Sequence, residues 1–346
     1  MINLITGGAG FIGSFLCERL LSMGCEVLVV DDLSTGSFEN IQHLKSNKNF
    51  RFFFGSVEDE NLMEPLVQQC DIIYHLAAAV GVRKIIENPV NTLETNIIGT
   101  HKVLELASKY HKKIVVTSTS EVYGKFRDAP FKEDDDCLLG PTSKNRWSYA
   151  CSKMIDEYLA LASHKERGLP VVIARLFNTV GPRQSERYGM VIPNFIKQAL
   201  AGRPITVFGD GQQSRCFVHV SEIVEALIKI AANENAVGQV INLGSNQEIT
   251  IEDLAVKVKR LALSASDIVY VPYDEAYESG FEDMERRVPD ITKAKRLIGF
   301  NPVKDVDFII NNIIESESKN NYIRDHKTVI STVPLWHNRT NESICE

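Results

Sequence analysis

The chain has 346 residues, more than one ordinary core holds, so one large or two modest domains are expected. Apolar residues make up 44% and charged residues 24%, the balance of a globular protein rather than a disordered or membrane-spanning one. A net charge of −7 with no long basic run argues against nucleic acid and anionic membrane surfaces as partners.

The opening MINLITGG lacks the charged-then-apolar order of a secretory signal, and no apolar run approaches the roughly 20 residues of a membrane span. The cysteines are scattered, with no C-x-x-C pair. That pattern predicts free thiols in a reducing cytoplasm, with neither disulfides nor a metal site.

The first strand is short and apolar, residues 2–6, and a glycine turn leads into a helix from about Ile12 to Met23. Strands follow at 26–31, 50–54 and 72–76, then a long helix over about 90–110. A strand at 113–117, a helix over about 148–165 and a strand at 171–176 complete the alternation. Strands separated by helices imply a doubly wound parallel α/β sheet with helices on both faces. After Phe177 the rhythm loosens into turn signals at Gly181-Pro182, Arg203-Pro204 and Gly209-Asp210-Gly211. Helices are expected near 191–201, 222–233 and 251–263, with short strands near 205–208, 217–220 and 240–243. This predicts a dinucleotide-binding domain over 1–177, to which 214–243 returns. A smaller mixed α/β substrate part is expected over 178–213 and 244–315, with a polar, unpatterned tail over 316–346.

Three groups of residues carry chemistry. Gly7, Gly8, Gly10 and Gly13 sit between a strand and a helix, where glycines let the backbone approach a pyrophosphate at the helix N-terminus. Asp31 ends the second strand near the spacing expected for a carboxylate on the adenosine ribose. None of Asp32, Leu33 or Ser34 offers a cation to a 2′-phosphate, so NAD is favoured over NADP. Tyr149 and Lys153 are four apart on one predicted helix face. A phenol of ordinary pKa near ~10 is a poor base, and a cationic neighbour stabilises its phenolate. Tyr149 can then take a hydroxyl proton while Lys153 also holds the nicotinamide ribose. Thr119 is placed to hydrogen-bond the reacting oxygen. Glu121, in TSTSEVYG at a strand end, is a carboxylate where ligands bind in such sheets.

With TGGAGFIG, VVDDL and YACSK stand HLAA, LFNTVGPR and SRCFVHV. Over residues 1–315 the chain resembles the extended short-chain dehydrogenase/reductases, in their NAD-dependent nucleotide-sugar epimerase, dehydratase and decarboxylase branch. The resemblance implies a Rossmann-type fold, NAD as cofactor, a nucleotide-diphosphate-sugar substrate and a homodimer paired through the helices over 90–110 and 148–165. It implies cofactor contacts from Gly7, Gly10, Phe11, Ile12, Gly13, Asp31 and Asp32. Ser56, Val57, Leu76, Ala77, Ala78, Tyr149 and Lys153 complete that set, although Ser56 stands where the family usually has Asp after Gly. It implies substrate contacts from Arg83, Ser120, Asn178, Arg183, Val207, Arg215 and Arg287, with Arg215 near the diphosphate.

Members of this branch oxidise C4 of the sugar and act on the ketone. The 4,6-dehydratases usually read Thr-Asp-Glu at the strand end, whereas Thr119-Ser120-Glu121 resembles the UDP-glucuronate decarboxylases. GPTSKNRWSYACSK and GFEDMERRVPDI resemble them too, and the second implies Arg287 as a catalytic arginine. AVGVRKIIENP and GPRQ look more like the 4-epimerases, so epimerisation and dehydration stand as alternatives to decarboxylation. A non-catalytic NAD-binding regulator and a dehydrogenase that releases NADH are the readings from other classes. His75 and His219 read as structural, and Glu133-Asp134-Asp135-Asp136 as a solvated loop.

Overall fold

A computed structural model describes residues 1–79, 89–126, 128–185, 190–272, 275 and 286–330, with only the helical backbone for 319–330. Seven parallel strands form the main sheet. They are β1 (Ile2–Thr6), β2 (Glu26–Asp31), β3 (Phe50–Phe54), β4 (Ile72–His75), β5 (Lys113–Thr119), β6 (Val171–Leu176) and β11 (Val240–Leu243), in the order β11-β6-β5-β4-β1-β2-β3. The chain builds outward from β1 to β3, then restarts at β4 on the other side. The switch point therefore lies between β1 and β4, where ligands bind in doubly wound sheets.

Alternate residues of each strand face opposite helix layers. Val29, Val115 and Val172 pack with Leu16 and Leu20 of α1 (Phe11–Ser22) and with Ile223, Leu227 and Ile230 of a helix at Val220–Ala232. Leu28, Ile114 and Val171 pack against α2 (Glu60–Gln69), α3 (Pro89–Lys109) and α4 (Ser148–Arg167). Each such fully buried aliphatic contributes about 1.5–3 kcal/mol relative to exposure.

The remainder has its own core. After the short strand β7 (Thr179–Val180), Phe195 and Ile196 of α5 (Val191–Leu200) meet β8 (Ile205–Phe208). The chain then crosses back through β9 (Ser214–Cys216), β10 (Val218–His219) and α6 (Val220–Ala232) to β11 in the main sheet. Beyond it lie β12 (Glu248–Thr250), α7 (Ile251–Leu261), β13 (Ile268–Val271), β14 (Arg286–Arg287), α8 (Thr292–Ile298) and α9 (Val306–Ile330). β14 runs parallel to β9 and β12 antiparallel to it, in a three-stranded sheet.

Two elements differ from the sequence expectation. Helix α2 has no counterpart there: Pro65 lies inside it, although Asp59 caps it by accepting from the Leu62 N–H at 3.3 Å. The expected unpatterned tail begins inside α9, which continues as helix to Ile330. Ile309, Ile310 and Ile313 anchor its first turns against α5 and α7, and helix propagates cheaply from a packed nucleus. No helix among the described residues is long and apolar enough to cross a membrane.

Candidate active site

The glycine turn meets the switch point. Gly7 has φ +73°, and a Cβ there would lie 2.7 Å from the Ala77 backbone nitrogen, so only glycine fits. Gly10 is the N-cap of α1 and has no side chain to cap it, leaving the N–H groups of Phe11, Ile12 and Gly13 at an open helix N-terminus. Leu76, Ala77 and Ala78 follow β4 on the facing side, tied to β1 by the Leu76 N–H donating to the Thr6 carbonyl at 3.1 Å. Asp31 accepts from Ala9 N–H at 2.9 Å and from Leu33 N–H at 2.8 Å. Burial pushes its carboxyl up, against those two donors. Asp32 is exposed and turned to its own loop, accepting from Ser34 N–H. The Ser56 hydroxyl accepts from Glu58 N–H, and Val57 is buried. A close-approach glycine turn, an uncapped helix start and a carboxylate at the end of β2 suit a dinucleotide.

The candidate reacting groups gather at the end of β5. The Thr119 hydroxyl accepts from the Glu121 N–H at 3.2 Å, which starts a 3-10 turn over Ser120–Tyr123. Tyr149, one position into α4, lies beside Thr119. Burial, then the charges of Glu121 and Asp156, hold its phenol above the ordinary value. Lys153 is buried, and its ammonium donates to Asp156 at 2.8 Å. The cation expected to stabilise the phenolate is thus paired one turn further along the helix.

Glu121 lies between two guanidinium groups. Arg146, in the 3-10 turn before α4, reaches its Oε2 at 2.6 Å, and Arg287 on β14 donates to its Oε1. The two arginines are over nine-tenths buried, and the Glu121 side chain is 14% exposed. Burial alone would raise this carboxyl; Arg287 and Arg146 outweigh it and hold it at about 2. The register places Arg287 beside Arg215 on β9. Arg215 is buried and donates to the Ser214 carbonyl.

Other expected residues are engaged elsewhere. Asn178 donates to the Cys216 carbonyl at 2.9 Å, and Val207 is fully buried in β8. Ser120 is buried beside Glu121. Arg183, with φ +69°, turns onto α1: its fork reaches Glu18 at 2.6 Å and Ser14 at 3.2 Å, over the Phe15 ring. That position ties Arg183 to α1. Arg83 lies outside the described residues. His75 is buried between Thr6 and Thr100, and burial lowers it to about 3. His219 caps α6 and meets Asn312 at 3.0 Å. Glu133 departs from the solvated-loop expectation: its carboxylate is nearly buried and accepts from Asn242 N–H.

Arg146 and Asp156 escaped the sequence reading. Both stand within seven residues of Tyr149. A guanidinium one turn before the phenol was visible in NRWSYACSK, but the partner that gives it meaning, Glu121, is brought in only by the β5–α4 packing.

The model of the GDP-mannose 4,6 dehydratase family matches residues 4–313. The chain belongs to this family. Among curated members, a UDP-N-acetyl-alpha-D-glucosaminuronate decarboxylase of Bacillus cytotoxicus is 46% identical over 300 residues, spanning 86% of this chain and 92% of that one. UDP-glucuronic acid decarboxylase 1 of Danio rerio is 38% identical over 327 residues, spanning 92% of this chain and 75% of that one. A UDP-glucuronic acid 4-epimerase from Bacillus cereus, crystallised with UDP-glucuronic acid and NAD, superposes with a TM-score of 0.83. It is 28% identical, over 92% of this chain and 100% of that one. This GDP-mannose 4,6 dehydratase family member is thus an extended short-chain dehydrogenase/reductase with the fold expected from its motifs.

Proposed function

We propose that the chain is an NAD-dependent decarboxylase of a UDP-linked uronic acid. The observation that carries this reading is the carboxylate of Glu121 held between Arg146 and Arg287, next to Tyr149. A simple 4-epimerase needs the phenol and the hydroxyl, but no buried guanidinium pair beside them. NAD, when bound, supplies the hydride acceptor for oxidation at C4. Phe11, Ile12 and Gly13 would hold its pyrophosphate, Asp31 its adenosine ribose, and Lys153 its nicotinamide ribose.

The chain's own groups do the rest. Thr119 orients the C4 hydroxyl, and Tyr149 Oη takes its proton. Burial and the Glu121 and Asp156 charges raise the phenol, and the positive charge of Lys153 and of a bound nicotinamide would act against them. Oxidation makes the C6 carboxylate a β-keto acid, which loses CO2 by placing its bonding electrons in an enolate. Arg287 stabilises that oxyanion, and Arg146 keeps Glu121 ionised and out of the sugar's path. Arg215 grips the diphosphate through its fork of donors.

The acetamido uronate is the first substrate to try, supported by the 46% relative, with UDP-glucuronate beside it. Mass spectrometry after incubation with NAD+ tests the reading. Loss of CO2 from either supports it; an unchanged mass with a new 4-epimer replaces it with epimerisation. We also propose a homodimer through α3 and α4, whose outer faces carry the exposed Val90, Ile98 and Tyr158. A monomer by light scattering would refute that. We also place the protein in the cytoplasm, a reading supported by its scattered cysteines with no C-x-x-C pair.

A further inference from the structure

A second buried polar system lies behind the site, and it touches neither the glycine turn nor Lys153. Arg175 on β6 makes a two-pronged pair with Glu157 of α4, at 2.9 and 2.8 Å. Its remaining terminal nitrogen donates to the Tyr123 hydroxyl at 3.0 Å and to the Glu133 carbonyl at 2.9 Å. Tyr123 in turn donates to Asn242 Oδ1 at 2.8 Å. The Asn242 amide then donates to the Phe131 carbonyl at 2.9 Å and to the Asp290 carbonyl at 3.5 Å.

The two ends of this chain of bonds matter. Tyr123 closes the 3-10 turn that begins beside Glu121. Phe131 is bonded to the backbone that follows Arg287: its N–H donates to the Val288 carbonyl, and its carbonyl accepts from the Asp290 N–H, both at 2.8 Å. Asn242 is fully buried and uses its acceptor toward one end and its two donors toward the other. Neither Asp nor Leu could do both. Glu121 and Arg287, 166 residues apart in sequence, are thus each anchored within a few residues of this one amide.

We propose that Asn242 and Tyr123 are positioning residues that set Arg287 against Glu121, and so serve the decarboxylation step rather than hydride transfer. The step itself rests on the proposed function: the C5–C6 bond of the 4-keto uronate breaks, CO2 leaves, and the electron pair stays as the enolate that Arg287 faces. The positioning does not rest on it, because the Glu121–Arg287 pair is there whatever the substrate.

The test uses the whole chain and two readouts. The first is the coupling between Glu121→Gln and Arg287→Gln in urea unfolding, measured in the wild type and again in Tyr123→Phe. Tyr123→Phe removes one hydroxyl and keeps the ring that stacks on Phe131, so the fold should survive. The coupling constant is expected to fall about tenfold in the Tyr123→Phe background. Ser118→Ala, which deletes a bond to Glu157 at the other end of the network, should destabilise without changing that coupling. Equal coupling in the wild-type and Tyr123→Phe backgrounds, or an equal loss with Ser118→Ala, overturns the proposal. The second readout is a single turnover with NAD+ and each UDP-uronate. Tyr123→Phe should slow CO2 release about tenfold while the reduced nicotinamide forms at the wild-type rate and persists longer. Parallel slowing of both steps would overturn the assignment to decarboxylation. A wild-type protein that releases no CO2 would sink the proposed function and the assigned step, while the unfolding cycle still decides the positioning.

Discussion

Replacing Glu121 by Gln leaves two buried guanidinium groups facing an amide, and the cost can be worked from the site. The folded carboxyl is held at about 2, against 4.5 for an ordinary glutamate. That difference corresponds to about 3 kcal/mol of stability in the ionised form. It is of the size expected for breaking a buried ion pair, about 3–5 kcal/mol. The sign follows from the depressed folded value: the stability is fully present above the unfolded pKa and is lost as pH falls toward the folded one. Urea unfolding of the wild type and Glu121→Gln should therefore differ by about 3 kcal/mol near neutrality, shrinking to about 1 kcal/mol by about pH 3. Taking the difference between the two proteins cancels the other carboxylates. A gap independent of pH, or one below about 1 kcal/mol at neutral pH, would refute the claim that Arg146 and Arg287 hold this carboxylate ionised.

Three further substitutions separate the roles. Tyr149→Phe should reduce turnover by about a hundredfold or more while NAD affinity, measured by calorimetry, stays within a factor of about two. A variant that keeps turnover would favour the non-catalytic regulator. Arg146→Gln should slow CO2 release about tenfold or more, by freeing Glu121 from its second guanidinium, and leave UDP binding unchanged; weakened UDP binding with unchanged CO2 release would take Arg146 out of the decarboxylation step. Arg183→Ala should lower stability by about 1–2 kcal/mol through loss of the Glu18 pair and the Phe15 contact, with KM for the sugar nucleotide unchanged. A raised KM with unchanged stability would return Arg183 to the substrate.

The parallel sheet was legible because its strands are short apolar runs punctuated by helices, and each falls where the sequence placed it within one or two residues. The glycine turn was legible for the same reason: its meaning depends on a strand before it and a helix after it, both local. Helix α2 and the length of α9 were not, since Pro65 masks the first and the second depends on three isoleucines packing against distant helices. The layout of the candidate site was readable wherever spacing within one element sets it, as for Tyr149 and Lys153, which share α4. It was unreadable wherever two elements meet. Nothing near Asp156 in sequence marks it as the partner that engages Lys153, and nothing in GPRQ indicates that Glu18, 165 residues away, takes the Arg183 fork. Glu133 looked solvated in a run of four acids. Its burial follows from Asn242 and Arg175, which come from strands on the far side of the sheet order.

The most direct measurement follows the carboxyl carbon itself. The purified protein is incubated with NAD+ and UDP-N-acetylglucosaminuronate, or UDP-glucuronate, labelled with carbon-13 at C6. The label is expected to leave as CO2, the sugar product to be a pentose nucleotide, and Arg287→Gln to lower the yield of labelled CO2 sharply. Label retained in a six-carbon product from both substrates, with either a new configuration at C4 or no reaction at all, would contradict this expectation.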